Sequence, residues 1–361
     1  MNTQTETSPA SEPAAPVVPA ALGYRMPAEW EPHAATWLSW PRRDGISFPD
    51  SYDRVTPALS AMVNALAGSE PVNINVCDAE HEADVRKILA SHRAATDHVT
   101  FLHIPTNEPW CRDHGPVFLT RSSDPKLAVV DWDYNAWGWK YPPFEDDDVV
   151  PTVIAEKLGL PVYHPDMVLE GGSIDVNGSG SLLTTKGCLL NPNRNPDFTQ
   201  ADIEQRLRDY LGVKHILWLG DGIEGDDTDG HVDDLARFVS RTSVVTVMED
   251  DENDNNYEPL KLNFELLRSM DAEDGTPLEI HRLPMPGKLF RDGQRLPASY
   301  ANFYIANKVI LLPVFADQAD KWAVSVLQTA FPTRTVVPID CRELVWGLGA
   351  FHCLTQQQPL V

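Results

Sequence analysis

Thiol, imidazole and carboxylate side chains recur in short segments of small and polar residues, and together they suit one chemistry. Cys353 lies in Gly347-Leu348-Gly349-Ala350-Phe351-His352-Cys353-Leu354-Thr355, close to the end of the sequence. Chain ends fray unless they are tied down, so an apolar, cysteine-bearing end predicts a closing strand. A lone cysteine is more often a buried hydrophobe than a nucleophile, and a reactive one needs a cationic or histidine-containing environment. On a strand the adjacent His352 points to the opposite face, which makes His231 the better partner. His231 sits in Asp229-Gly230-His231-Val232-Asp233-Asp234. There Asp233, two residues on, shares its face of a strand. Asp113 lies in Trp110-Cys111-Arg112-Asp113-His114-Gly115-Pro116. Carboxylates match the forked N–H donors of a planar guanidinium. Asp113 and Asp233 can grip its terminal nitrogens and leave the central carbon open to the Cys353 thiolate, while Trp110 covers an aliphatic stem. Leu169-Glu170-Gly171-Gly172-Ser173 adds a carboxylate at a flexible turn.

Metal-binding readings of the same residues fail. With Gly230 aligned to the invariant glycine of a calcium loop, Gly225 falls where the first aspartate belongs and Ala236 where the bidentate glutamate belongs. The acidic run from Glu249 to Asn256 fails the same test and reads as a solvated loop. The five cysteines, Cys77, Cys111, Cys188, Cys341 and Cys353, are odd in number and include no C-x-x-C pair. That argues against a disulfide framework and a cysteine-rich zinc site, and it fits a reducing cytoplasm. No metal or cofactor is expected.

The elements that must position these residues alternate in period. β-rich runs occur at Val72-Asn73-Ile74-Asn75-Val76, at residues 127–132, at 244–247 and at 309–314. Helical patterns cover about 52–66, 80–89, 199–211 and 320–331. The third of these opens Thr199-Gln200-Ala201-Asp202, close to a capping box. Strands alternating with helices predict an α/β protein. Asp113, Glu170, His231, Asn302 and Cys353 recur at intervals of roughly 50–70 residues. Such spacing suggests repeated supersecondary units that send one strand end each toward a common axis.

The sequence of 361 residues is 42% hydrophobic and 23% charged, an ordinary globular composition. No apolar run is long enough to span a bilayer. Residues 1–25, rich in Pro, Ala, Ser, Thr and Glu, read as a disordered tail and not as a secretion signal, and residues 26–361 as one domain. A net charge of −24 repels nucleic acid and anionic membranes and attracts a small cation. Oligomeric state stays open, a homo-oligomer included.

Taken in order, these segments resemble one family. Met26-Pro27-Ala28-Glu29-Trp30-Glu31-Pro32-His33 looks like the opening signature of agmatine deiminases. The segments around Trp110, Glu170, Asn191-Pro192-Asn193-Arg194-Asn195-Pro196, His231, Ala298-Ser299-Tyr300-Ala301-Asn302-Phe303-Tyr304 and Cys353 follow in the same order. The resemblance covers nearly all of 26–361. Agmatine deiminases share it with the Porphyromonas-type peptidylarginine deiminases of the guanidine-modifying (pentein) superfamily. It implies a five-bladed pseudo-symmetric α/β propeller of ββαβ units. It also implies Cys353 and His231 as catalytic residues, Asp113 and Asp233 as the guanidinium clamp, Glu170 as an active-site acid, Trp110 as a substrate-contacting aromatic, and Asn302 as a pocket residue. The implied activity is hydrolysis of agmatine to N-carbamoylputrescine and ammonia through a cysteine thiouronium, a step toward putrescine and the polyamines. Deimination of free or peptidyl arginine, amidino transfer, and an acidic binding protein without catalysis are the alternatives. The Gly347–Gly349 approach, and residues 131–148 with Trp132, Trp137 and Trp139, depart from the commonest agmatine pattern and bear on the substrate.

Overall fold

The computed structural model describes residues 17–361, and its sheets repeat one plan. A first strand runs antiparallel to a second, and a helical crossover returns the chain to a third that pairs with the second in parallel. Val117–Thr120, Leu127–Val130 and Val162–Tyr163 make one such sheet. Ile174–Val176, Ser181–Thr185 and His215–Leu219 make the next. Ala236–Phe238, Ser243–Met248 and Glu279–Pro284 follow, then Tyr304–Ile305, Val309–Val314 and Thr335–Asp340. The fifth joins the two ends of the chain: Thr355–Pro359 pairs antiparallel with His33–Ser39, which continues in parallel to Val72–Val76 and Val99–His103. No sheet closes on itself among the described residues, and the hairpin Phe290–Arg291 with Gln294–Arg295 stands apart from these five.

Local chemistry explains the repeat. Parallel neighbours need a crossover, and a strand covered on both faces needs an unbroken apolar run. Ile310, Leu311 and Leu312 supply that run and are fully buried. The crossover Gln200–Leu211 is capped by Thr199, whose hydroxyl accepts from Asp202 N–H while Asp202 accepts from Thr199 N–H. Ile203, Leu207 and Leu211 form its buried stripe, and Gly212, at φ 67°, ends it in the left-handed conformation. The remaining expected helices are Tyr52–Ala67, Ala79–Ser91 and Asp320–Ala330.

Three expectations change. The chain is folded before residue 26: Pro19–Leu22 is a 3₁₀ turn, and Arg25 exchanges backbone hydrogen bonds with Thr120. The expected tail over 1–16 lies outside the described residues. The acidic run is not wholly solvated. Asp254 is buried and accepts from Arg295 Nη1 at 2.5 Å, with Lys288 Nζ at 3.1 Å. Finally, Cys353 is not on the closing strand, which begins at Thr355. It sits on the helical turn Phe351–Leu354 just before it.

That last correction is general. Each of the five first strands is preceded by a short turn, and the candidate residues are on these turns. Cys111–His114 carries Asp113, and Glu170 precedes the 3₁₀ turn Gly171–Ser173. His231 and Asp233 belong to the turn at Val232–Asp234 and not to a strand. Asn302 lies just ahead of Tyr304–Ile305, and Cys353 is on Phe351–Leu354. Equivalent places in five similar sheets bring together residues far apart in sequence.

Candidate active site

Cys353, Asp113 and Trp110 line a cavity of about 870 Å3, together with Trp137, Asp226 and Asp227. Glu170, His231 and Asp233 are fully buried beside it. Gly172 shows how close these groups are. A Cβ built on it would lie 2.6 Å from His231 Nδ1, 2.7 Å from Asp113 Oδ1 and 3.1 Å from Asp233 Oδ2. Only glycine lets the three converge.

Asn302 holds Cys353 in place. Its Nδ2 donates to Cys353 Sγ at 3.0 Å and to Asp234 Oδ1 at 3.0 Å. Its Oδ1 accepts from the backbone N–H of His352 at 3.1 Å and of Cys353 at 3.3 Å. The amide expected to touch substrate is thus spent on Cys353. The thiol itself donates to Asp233 Oδ2 at 3.5 Å. The Gly-rich approach has a packing reason: a Cβ on Gly347 or Gly349 would lie 2.9 or 2.5 Å from the Trp110 ring. Trp110 in turn donates from Nε1 to Ser47 Oγ at 2.8 Å.

Asp113 is fixed through both oxygens. Oδ1 accepts from Gly172 N–H at 2.9 Å, and Oδ2 accepts from Trp137 Nε1 at 2.9 Å. His231 Nδ1 lies 3.7 Å from Oδ1. Glu170 Oε1 accepts from Arg194 Nε at 2.6 Å, and the same guanidinium reaches Asp229 and Thr228 O, which ties Glu170 to the loop that delivers His231. Glu170, Cys188 and His231 offer ligand atoms within 4.8 Å of one another, the one place among the described residues where three such groups could hold a metal. Arg194, with its own positive charge, already occupies one Glu170 oxygen there.

The electrostatics are uneven. Burial pushes Asp113 up to about 6, with Asp233 and Glu170 adding and His231 opposing. Burial also raises Asp233, but the hydrogen bond and charge of His352, with His231 and Arg237, outweigh it and hold Asp233 below the usual range. Burial would lower His231, yet Asp113, Cys188 and Glu170 hold it well above the ordinary histidine value. Burial, then Asp233, Asp234 and Asp113, keep the Cys353 thiol well above its ordinary value. These influences favour a neutral thiol, a protonated imidazole and a carboxylate pair of unlike proton affinity. A cation entering between the carboxylates cancels the charges that suppress thiolate formation.

Sequence reasoning missed Asp226 and the part played by His352, and it named Trp137 without its bond to Asp113. Trp137 lies at φ 56°, a left-handed conformation that nothing in the residue type signals. His352 was placed away from the chemistry by a strand geometry the turn does not have. Two cations, Arg291 and Arg295, line the cavity. Arg112 turns away from Asp113, donating to Gln356 Oε1 at 2.8 Å.

A family model for the Porphyromonas-type peptidyl-arginine deiminases matches residues 25–359, and this chain belongs to that family. A Legionella pneumophila (strain Paris) protein carrying the name "Putative agmatine deiminase" is 36% identical over 94% of this chain and 97% of its own length. The structure of an Enterococcus faecalis agmatine deiminase, 34% identical, superposes with a TM-score of 0.88 over 97% of this chain and 99% of that one. A C. jejuni agmatine deiminase with substrate bound is 30% identical, with a TM-score of 0.84 over 93% and 96% of the two chains.

Proposed function

We infer that this chain is a hydrolase of C–N bonds in linear amidines, converting agmatine and water to N-carbamoylputrescine and ammonia. The observation that carries the reading is Cys353 Sγ beside Asp233 and facing the same cavity as Asp113, with His231 3.7 Å from Asp113. Asp113 and Asp233 clamp the guanidinium, Trp110 lines its stem, and Glu170 supports His231. The bound cation lets Cys353 release its proton to water in the cavity, and the thiolate forms a C–S bond to the guanidinium carbon. His231 gives its proton to the departing nitrogen, and the C–N bond breaks to release ammonia and leave an S-alkylthiouronium. His231, now neutral, takes a proton from water. The hydroxide adds to the same carbon, the C–S bond breaks, and the ureido product leaves. No cofactor enters this scheme.

The five like sheets support reading the fold as a five-bladed pseudo-symmetric α/β propeller with the site on its axis, over one domain that takes in Pro19–Leu22 and Arg25 along with 26–361. A free-thiol nucleophile suits a reducing cytoplasm. Among the described residues no helix is long and apolar enough to cross a membrane. Agmatine is favoured by the carboxylates Glu224, Asp226 and Asp227 in the cavity wall, which suit a second positive charge. Free or peptidyl arginine is the second reading, and Arg291 favours it. Arg291 lines the cavity with its nearest carboxylate, Asp292, 3.7 Å away, so it could receive an acid group. Product analysis with agmatine, arginine and peptidyl arginine decides. Agmatine is expected to exceed arginine at least about tenfold in kcat/KM, roughly 1.4 kcal/mol. Equal or better turnover of arginine overturns the choice, and transfer of the amidino group to an amine overturns hydrolysis.

A further inference from the structure

Asp233 is held from behind by a side chain that the scheme above does not use. His352 Nδ1 lies 2.7 Å from Asp233 Oδ2, and His352 Nε2 lies 2.8 Å from Glu29 Oε2. The ring is 1% exposed, with carboxylate oxygens at both nitrogens. An ionised carboxylate only accepts, so this ring donates twice, which only an imidazolium does. We propose that His352 is a positioning residue, a buried imidazolium strung between Glu29 and Asp233 that keeps Asp233 the permanently ionised arm of the guanidinium clamp. The proposal rests on the reading of Asp233 as a guanidinium ligand.

The surrounding charges require that proton. Glu29 also accepts from Arg237 Nη2 at 2.8 Å and Arg112 Nη2 at 3.3 Å, and Arg237 Nε donates to Asp175 at 2.5 Å. Three carboxylates (Glu29, Asp175 and Asp233) meet two guanidiniums, and all five are buried. A doubly protonated His352 balances these five groups, whereas a neutral ring leaves them one negative charge in excess, with His231 the remaining cation facing Asp233. Arg237, His352 and Arg112 hold the Glu29 carboxyl well below its ordinary range against its burial.

The arrangement also sets which oxygen meets the substrate. His352 takes Asp233 Oδ2, while Oδ1 is buried without a partner. Asp113, by contrast, is held by two neutral donors, Gly172 N–H and Trp137 Nε1. The two arms of the clamp therefore differ because only Asp233 is tied, through His352, to a residue of the N-terminal segment. The other groups facing Asp233 are His231 and Asp113, the neighbouring Asp234, Arg237, and the Cys353 thiol.

His352→Gln removes the charge and one donor. Asp233 then binds protons more readily, so the acid limb of kcat/KM moves up by about one pH unit. KM rises at least about tenfold near pH 6 and recovers toward the parent value near pH 8.5, with kcat changed less. A role confined to packing predicts a loss that is uniform across pH with the limb unmoved, and that result overturns the proposal. Should His352→Gln not fold, neutron diffraction of the unsubstituted protein at pH 7 decides. Deuterium on both ring nitrogens of His352 is expected, and deuterium on one overturns it. The neutron result is independent of turnover, so a chain that hydrolyses no guanidino compound defeats the functional reading separately.

Discussion

In the proposed reaction Cys353 is the nucleophile, and its surroundings suppress its reactive form until the substrate arrives. Burial and three carboxylates favour the neutral thiol, and the Asn302 amide opposes them by donating to sulfur. Charge on the reagent should therefore matter more than intrinsic reactivity. Neutral iodoacetamide should label Cys353 slowly at pH 7 and faster as pH rises, whereas a haloacetamidine cation should label it first among the five cysteines. Faster labelling of Cys111 or Cys188 by the cation, read by peptide mapping, would remove Cys353 from its role. Asp113 gives a second test, in which activity and stability move oppositely. Its carboxyl binds protons more readily folded (about 6) than unfolded, about 3.9. The folded state then takes up protons between these values, and its stability falls as pH rises from about 4 to 6. Above that range the ionised, buried group costs on the order of 1–3 kcal/mol. Asp113→Asn should accordingly raise the melting temperature at pH 7, with the gain vanishing below about pH 4. It should also lower kcat/KM by roughly two to four orders of magnitude, because one partner of a buried charge pair is gone. A variant that keeps kcat/KM within a few-fold would show that the guanidinium does not bind there.

The unit that delivers this chemistry is the three- or four-residue turn ahead of each first strand. Such turns have no period to read. Long elements were legible because period and caps agree, as at Thr199 and Gly212 around Gln200–Leu211. Val72–Val76 and Val309–Val314 match their apolar runs end to end. The turns at Val232–Asp234 and Phe351–Leu354 instead stand where the sequence predicts strands, which misplaces the side-chain directions. The structure brings Cys353, His231, Asp113, Asp233 and Glu170 close together despite that difference. Side-chain orientation differs, which is why strand geometry sets His352 aside. Gly172 is the sharpest example of a turn residue with a packing role. Gly172→Ala would drive a methyl between His231, Asp113 and Asp233. The expected result is a loss of at least about a hundredfold in kcat/KM, with about 1–3 kcal/mol of destabilisation from overpacking. Activity and melting temperature both near the parent's would mean that these groups are further apart than described.

Across the whole molecule, the chain carries a net charge of −24 and a cavity with several carboxylates in its wall. A field of that sign should draw a dication in faster than a zwitterion. Agmatine kcat/KM should therefore fall as ionic strength rises, and more steeply than that for arginine, since screening shortens the reach of surface charge. Parallel salt dependence for the two substrates would locate selectivity in the cavity alone. The fold contributes differently: pairing Thr355–Pro359 with His33–Ser39 clasps the C-terminal end to the N-terminal part, fixing Cys353 and Glu29 in one network. The central claim is that this assembly passes the amidino carbon of agmatine through Cys353. Acid-quenching the enzyme during agmatine turnover and mapping its peptides tests that most directly. The account predicts the agmatine-derived thiouronium on Cys353 and on no other cysteine; unmodified Cys353 while N-carbamoylputrescine accumulates, or the adduct on another cysteine, would contradict it.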